Sequence, residues 1–137
     1  MADGLDHDIA PELLRLYESI YFRQLNSNIV TRKAQFEYSV CLVRDKNTEH
    51  IERGLGMLNE LYRTDDYGQR DYIYFLALGN ARLKRYEVAM ELLYSVLKED
   101  PTEFEYSALY NEIRDRLAVN SLTANMSGLQ LDATKRG

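Results

Sequence analysis

The sequence has few of the residues that break helices or cross-link a chain. Cys41 is the single cysteine among 137 residues, so no disulfide can form within the chain, and this favours a reducing compartment. Proline occurs only at Pro11 and Pro101, and no stretch alternates apolar with polar residues as a half-buried strand would. With few helix breakers and no strand pattern, the sequence predicts an all-α fold.

Excess positive charge and long apolar runs are also missing. The formal net charge is −5 and the pI is about 5.1, which argues against a nucleic-acid partner and against direct action on anionic lipid. Residues 1–8 include three aspartates and no apolar run, so they do not resemble a secretory signal. No stretch reaches the roughly 20 apolar residues that span a bilayer. The sequence therefore indicates a soluble domain.

Motifs that carry catalysis are missing as well. The sequence has no glycine-rich phosphate loop, no zinc-ligand spacing and no nucleophile elbow. His7 and His50 stand too far apart in the chain to form a motif, and Cys41 lies among apolar residues, where a thiol is inert. We therefore expect a non-enzymatic protein with no catalytic residues, no metal site and no cofactor.

What the chain does contain is an internal repeat between residues 37 and 101. At an offset of 34 positions Tyr38 falls on Tyr72 and Leu42 on Leu76, and the apolar residues recur at helical spacing. A period of 34 residues with this pattern is typical of tetratricopeptide (TPR) helix pairs. Such pairs stack into an array with a concave face that holds peptides or partner proteins, which predicts a binding module.

The pattern predicts a six-helix bundle with two tandem TPR-like pairs and an extra helix on each side. Residues 1–8 would form an N-terminal arm, residues 9–119 the helical domain, and residues 120–137 a flexible polar tail. Expected N-caps are Asp8, Thr31 and Thr48, and Thr102 with Glu105 would form a capping box. The expected helices are about residues 9–25, 32–46, 49–62, 69–83, 86–99 and from 102 onward.

Small residues in the second repeat predict close helix packing. Ala77 and Ala89 stand where the two helices of a TPR cross, and Gly79 is a poor helix former whose presence suggests close approach of a neighbouring helix.

Function would lie on the other face of the first helix in each pair. The spacing places an apolar floor there with Arg44 and Arg82 at one end. An arginine in that place can clamp a carboxylate through two parallel hydrogen bonds, and the alternative is that both are solvated charges paired with nearby acids. The residues on this face are Glu37, Val40 and Arg44 from the second helix and Asp71, Tyr74, Leu78, Ala81 and Arg82 from the fourth.

Several short runs go beyond a general TPR pattern. They are QFEY at residues 35–38, CLVR at 41–44 and QRDY at 69–72, together with the residues around Gly79 and Tyr86. With these runs the chain resembles the mitochondrial fission 1 protein family over about residues 9–118. A generic TPR would share the small residues but not these runs.

The resemblance implies a tail-anchored adaptor on the mitochondrial outer membrane and on peroxisomes, facing the cytosol. It implies a part in organelle division, in which a dynamin-related GTPase is recruited or regulated directly or through other adaptors. Rab GTPase-activating proteins and mitophagy factors are partners of some members. It further implies that the N-terminal arm can fold over the groove and occlude it. The family's groove maps onto Val40, Arg44, Tyr74, Phe75, Leu78, Ala81 and Arg82.

Three departures from the family pattern bear on partner choice. Val40 and Ala81 are small where the family often has bulky aromatics, which predicts a differently shaped groove. Asp45 and Lys46 replace a Ser-Lys segment, so a role for that serine does not carry over. Residues 120–137 are too polar for the family's membrane anchor, so the chain is either a soluble form without it or a variant with a different ending.

The alternative is a generic TPR module of the chaperone type, which captures acidic C-terminal peptides. That reading needs a clamp of lysines and asparagines over three repeats, whereas this chain has two repeats and places Glu37 and Asp71 at the corresponding positions. Neither reading fixes the dominant partner or decides between a monomer and a weak dimer.

Overall fold

The computed structural model describes the backbone of residues 4–136 and the side chains of residues 4–126, and it confirms an all-α bundle in this part of the chain. Residues 1–3 of the expected arm lie outside it. The helices are α1 (Pro11–Asn26), α2 (Arg32–Val43), α3 (Thr48–Thr64), α4 (Gln69–Arg82), α5 (Tyr86–Leu97) and α6 (Phe104–Arg136).

The helix starts follow local capping chemistry, and the predictions for them are partly right. The Thr31 hydroxyl accepts a hydrogen bond from the Ala34 amide, which confirms Thr31 as the N-cap of α2. The cap of α3 is Asn47 and not Thr48, because the Asn47 side-chain amide oxygen accepts from the backbone amides of Glu49 and His50. The cap of α1 is Ala10 and not Asp8, because the Asp8 carboxylate is held by Arg82.

The predictions for both ends of the last helix are wrong. Thr102 does not cap α6, because its hydroxyl donates to Asp100 Oδ1 at 2.6 Å in a turn that delays the helix until Phe104. The tail expected at residues 120–137 is helical as far as Arg136. The prediction of a flexible tail relied on the polar composition of this segment. Residues 120–136 nevertheless contain no proline and only one glycine, so little in the segment breaks a helix. One glycine costs a helix only about 1 kcal/mol, which the leucines, alanines and methionine around it offset.

The two TPR-like pairs are α2 with α3 and α4 with α5, as the repeat predicts, and small residues set their spacing. Ala77 and Ala89 are completely buried. A Cβ on Gly79 would lie 2.7 Å from Leu55 Cδ2, and one on Gly54 would lie 2.9 Å from the Ser39 carbonyl oxygen. The backbones of neighbouring helices therefore approach as closely as glycine alone permits.

The flanking helices pack very differently. Tyr106, Leu109 and Ile113 of α6 are buried against the repeats. None of the 16 residues of α1 is buried, and among the described helices α1 packs only on α2. The core therefore lies between α2 and α6, and α1 covers its edge. In the described residues no helix is both long and apolar enough to cross a membrane.

Candidate partner-binding groove

An N-terminal segment crosses the carboxyl-terminal ends of the repeat helices. Residues 4–8, the described part of the arm, run from α6 over the end of α4, and Ile9 follows at the end of α2. Leu5 anchors the arm, since it is only 2% exposed and belongs to the same core as Leu78 and Ala81. Its amide donates to Glu112 Oε1 of α6 at 2.9 Å.

Arg82, at the last position of α4, holds the arm in place. Its Nη1 donates to the carbonyl oxygen of Leu5 at 2.7 Å and to that of His7 at 3.1 Å. Its Nη2 donates to Asp8 Oδ1 at 2.5 Å and to the carbonyl oxygens of Arg44 and Asp45 at 3.1 and 3.2 Å. The side chain is only 7% exposed. One guanidinium therefore ties the arm to the ends of both α2 and α4.

A second arginine fastens the other end of the arm. Arg116 of α6 donates to both carboxylate oxygens of Asp6, at 3.1 and 2.7 Å. This bidentate hydrogen bonding lowers the pKa of Asp6 and raises the pKa of Arg116. Because the Asp6 side chain is 76% exposed, solvent screens the pair, and its contribution to the stability of arm docking is modest.

Arg44, the C-cap of α2, is buried and differs from Arg82 in its hydrogen bonds. Its carbonyl oxygen accepts from the Ile9 amide at 2.9 Å as well as from Arg82. Its guanidinium carbon lies 5.9 Å from the centre of the Phe75 ring, within range of a cation–π interaction. Within the part of the chain that the structure describes, its buried Nη1 has no hydrogen-bond partner.

Beside Arg44 a cavity of about 400 Å³ remains open while the arm is docked. Its walls come from the arm, the start of α1, one face of α2 and the Phe75 ring of α4. The lining includes His7, Ile9, Leu13, Phe36, Glu37, Val40, Cys41 and Arg44.

The structure divides the seven groove residues expected from sequence into three sets. Val40, Arg44 and Phe75 line the open cavity. Arg82 lies beneath the arm and binds it. The remaining three, Tyr74, Leu78 and Ala81, are buried in the same core as Leu5 and do not face an open groove while the arm is docked.

Neither arginine is a solvated surface charge, because Arg44 is 6% exposed and the Arg82 side chain 7%. Arg82 does pair with an acid, Asp8, as that alternative expects. The sequence reasoning also missed the anchoring role of Leu5, Asp6 and Arg116. The available signal was Leu5 itself, the first large apolar residue after Met1 and the only one in an acidic segment.

Cys41 lines the cavity but is not set up as a nucleophile. Burial raises the pKa of its thiol to about 11, and the neighbouring Glu37 acts in the same direction. A thiol in that environment stays protonated near neutral pH, which agrees with the inert residue expected from sequence.

Comparison with protein families places both repeats in one family. Residues 33–65 match the Fis1 N-terminal tetratricopeptide repeat, and residues 70–122 match the Fis1 C-terminal tetratricopeptide repeat. The matched ranges correspond to α2 with α3 and to α4 through the first half of α6.

Individual relatives agree with the family match. Mitochondrial fission 1 protein of Mus musculus is 38% identical over 98 residues, which are 71% of this chain and 64% of the mouse protein. The Homo sapiens protein is 36% identical over 98 residues, again 71% of this chain and 64% of the human protein. The chain therefore spans slightly less than two thirds of the length of these two relatives. The Mycosarcoma maydis protein is 28% identical over 117 residues, 85% of this chain and 77% of its own length.

Solved structures share the fold. The crystal structure of Fis1 from Saccharomyces cerevisiae has a TM-score of 0.76 and 16% identity, and the match covers 90% of this chain and 98% of that one. A second crystal structure holds yeast Fis1 in complex with an Mdv1 fragment containing N-terminal extension and coiled coil domains. It has the same TM-score and identity, over 86% of this chain and 94% of that one. With both repeats and the arrangement of helices matched, the chain belongs to the mitochondrial fission 1 (Fis1) family.

Proposed function

We propose that this chain is a non-enzymatic adaptor in mitochondrial fission, and that its groove recruits or regulates a dynamin-related GTPase or an adaptor of that GTPase. The arm gates the groove by occupying it. The protein acts on the cytosolic face of the mitochondrial outer membrane and of peroxisomes, held there by a membrane anchor of the kind that the family resemblance implies. A Rab GTPase-activating protein is a further candidate partner.

The observation that carries this proposal is the use of Arg82 by the arm. The resemblance assigns Arg82 to partner binding, and here its two Nη atoms bind the main chain of residues 5 and 7 and the Asp8 carboxylate. A partner that binds Arg82 must therefore displace the arm. The arm is therefore an internal competitor for Arg82. Only molecules with an undocked arm bind the partner, so the apparent affinity is the intrinsic affinity multiplied by the undocked fraction.

The apolar surface beneath the arm supports the same proposal. Leu5 packs in one core with Leu78 and Ala81, so its departure exposes apolar surface. A partner that inserts an apolar side chain at this point replaces Leu5 at little cost. The complex of yeast Fis1 with an adaptor fragment supports a partner of the adaptor class.

An NMR titration tests the proposal. The ¹⁵N-labelled chain, with and without residues 1–8, is titrated with an adaptor fragment that contains an N-terminal extension and a coiled coil, and separately with a dynamin-related GTPase. We expect shifts at Val40, Leu78 and Arg82, and tighter binding by the shortened chain. Binding at another surface, or equal binding by both chains, would count against a gated groove.

Arg82→Ala has two opposing effects in the full chain, because it frees the arm and removes a binding cation. The variant is therefore made in the chain that lacks residues 1–8, where the second effect alone remains. There we expect weaker partner binding without unfolding. Arg114→Ala is the matched control, because Arg114 is 56% exposed on α6 and, among the residues that the structure describes, pairs only with the adjacent Asp115.

A further inference from the structure

Residues 119–136 of α6 form a distal helix that continues past the part of α6 packed on the bundle. Every described residue from Ala118 to Met126 is exposed. Isolated helices of a few turns are marginal in water, and most helices in proteins are stabilised by packing of one apolar face. The distal helix therefore lacks, within one copy of the chain, the buried face that usually stabilises a helix.

The exposed apolar face of the distal helix points away from the bundle. Ile113 is 0% exposed and Leu122 is 61% exposed, and the two are nine positions apart. Nine residues make two and a half turns, so these side chains lie on opposite faces of α6. Asn120 marks the bundle side, since its Nδ2 donates to the Tyr86 hydroxyl of α5 at 3.4 Å. The bundle cannot cover the opposite face while α6 remains one helix.

The spacing of this face is that of a coiled-coil seam. Val119, Leu122 and Met126 are 58, 61 and 55% exposed, and they follow one another at intervals of three and four residues. In the sequence, Leu129 and Ala133 continue the same alternation. This alternation keeps a narrow apolar seam along one side of a helix, and a β-branched residue followed by leucine three positions later favours two parallel strands.

We propose that the distal helix is a self-association surface, along which two copies of this chain pair as a short parallel coiled coil. The inference goes beyond the partner groove and does not depend on it. The same seam serves in both copies, so the interface is isologous and closes as a dimer. Because the seam faces away from the bundle, the two bundles lie on opposite sides of the pair and do not collide.

The charge pattern lets two copies meet along the distal helix and nowhere earlier on α6. The whole chain has a net charge of −5, yet no charged residue stands between Arg116 and Asp132. Like charges therefore do not oppose each other over this stretch of the seam. One step before Val119 the seam position is Asp115, whose side chain is 72% exposed, and two such carboxylates would repel each other. Pairing therefore begins at Val119, beyond the part of α6 that packs on the bundle.

A membrane surface fits the distal helix less well than a second copy does. Helices that lie in a bilayer interface usually carry Trp or Phe on the apolar face and Lys or Arg on the polar face. Residues 117–131 contain none of these four residue types. The net negative charge of the chain is also repelled by anionic lipid.

Sedimentation equilibrium of the full chain and of two charge variants tests the inference. Leu122→Asp places a carboxylate in the seam, and Ser121→Asp adds the same charge one residue earlier, outside the seam. From about 10 µM to about 1 mM, the unaltered chain and Ser121→Asp should show the same monomer–dimer equilibrium. Leu122→Asp should raise the dissociation constant at least about tenfold, because the dimer would bury two unpaired carboxylates. Since Leu122 is exposed in the single chain, the bundle should stay folded, and circular dichroism checks this.

Two results would overturn the inference in this experiment. One is an unaltered chain that stays monomeric over the whole range. The other is a dimer that the two charge variants affect equally, because it would then form through another surface.

Cysteine cross-linking tests the parallel pairing directly. In a Cys41→Ala background, Leu122→Cys should give a disulfide-linked dimer on oxidation. Ala124→Cys, on the outer side of the helix, should give at least about tenfold less. Equal yields would contradict the seam. Binding to phosphatidylcholine vesicles that dissociates the dimer, and that Leu122→Asp abolishes, would make the membrane the occupant and also overturn the inference.

Discussion

Arg82 Nη1 donates to the carbonyl oxygen of Leu5 at 2.7 Å, so the residue expected to hold a partner holds the chain's own arm. The contact joins the end of α4 to a residue 77 positions away in sequence. It uses the main chain of the arm, so it tolerates changes in the arm's side chains. The side chain of Leu5 then decides how firmly the arm stays docked.

Leu5→Ala should release the arm while the helices stay folded. Leu5 is 2% exposed, and truncation of a buried leucine costs about 2–5 kcal/mol, enough to undock a short segment. Hydrogen exchange of the amide at position 5, which is bonded to Glu112, should become faster, and partner binding tighter. Leu16→Ala removes the same atoms from a side chain that is 51% exposed, and should change neither. Unchanged exchange in the Leu5 variant would show that hydrogen bonds alone hold the arm.

Acidification should weaken arm docking through Asp6. Its pKa is lowered in the docked state by the hydrogen bond from Arg116, so the pair stabilises docking above the ordinary aspartate value of about 3.9. That contribution is lost as the pH falls through this value towards the lowered one. Hydrogen exchange of the arm amides, followed from about pH 5 to about pH 3, should show the loss.

Asp6→Asn isolates this effect from general acid unfolding. The variant cannot titrate at position 6, so its docking should be weaker than normal at neutral pH and should change less with pH. Arg116→Gln should do the same, and the double variant should be no worse than either single one. Additive effects would mean that the two side chains act separately.

Gly54→Ala and Gly56→Ala should change stability in opposite directions. The Cβ at position 54 would lie 2.9 Å from the Ser39 carbonyl oxygen, a backbone atom that cannot move without shifting α2. We expect a loss of about 1–3 kcal/mol in the free energy of unfolding. Position 56 has nothing within 4 Å, so alanine there should gain up to about 1 kcal/mol from helix propensity. Urea denaturation of the two variants measures both values, and equal changes would contradict the close approach of α2 and α3.

Cys41 should react slowly with alkylating reagents in the folded chain. A thiol with a pKa of about 11 is almost entirely protonated at pH 8, so iodoacetamide should label it about 100-fold more slowly than an exposed cysteine. The rate in urea, where the chain is unfolded, is the control. Equal rates in both conditions would show that the thiol is exposed in the folded chain.

The two helix pairs could be predicted from the sequence, because the apolar pattern that marks them is local and periodic. Tyr38 and Tyr72 recur one repeat apart, and both are buried as the period requires. The N-cap residues were harder to predict, because Asp8, Thr48 and Thr102 all have side chains that can cap a helix. The choice among them depends on tertiary partners such as Arg82 or on a turn such as that at Asp100.

The candidate site could be predicted from the sequence only in part, because many of its contacts join residues that lie far apart in the chain. Spacing placed Val40 and Arg44 on one face of a helix, and both do line one cavity. The same argument could not show that Leu78 and Ala81 share a core with Leu5. It also could not show that Asp6 meets Arg116, 110 positions away, because no periodic pattern links an arm to the last helix.

The weak attachment of α1 has a consequence for how the molecule opens. A helix with no buried residue, packed on one neighbour, costs little free energy to detach. The arm continues directly into α1 at Ile9, so residues 4–26 can behave as one cooperative unit that unfolds below the global transition. In that case the two repeats are the permanent part of the protein, and the segment up to Asn26 is a reversible attachment whose docked fraction sets how much of α2 a partner meets.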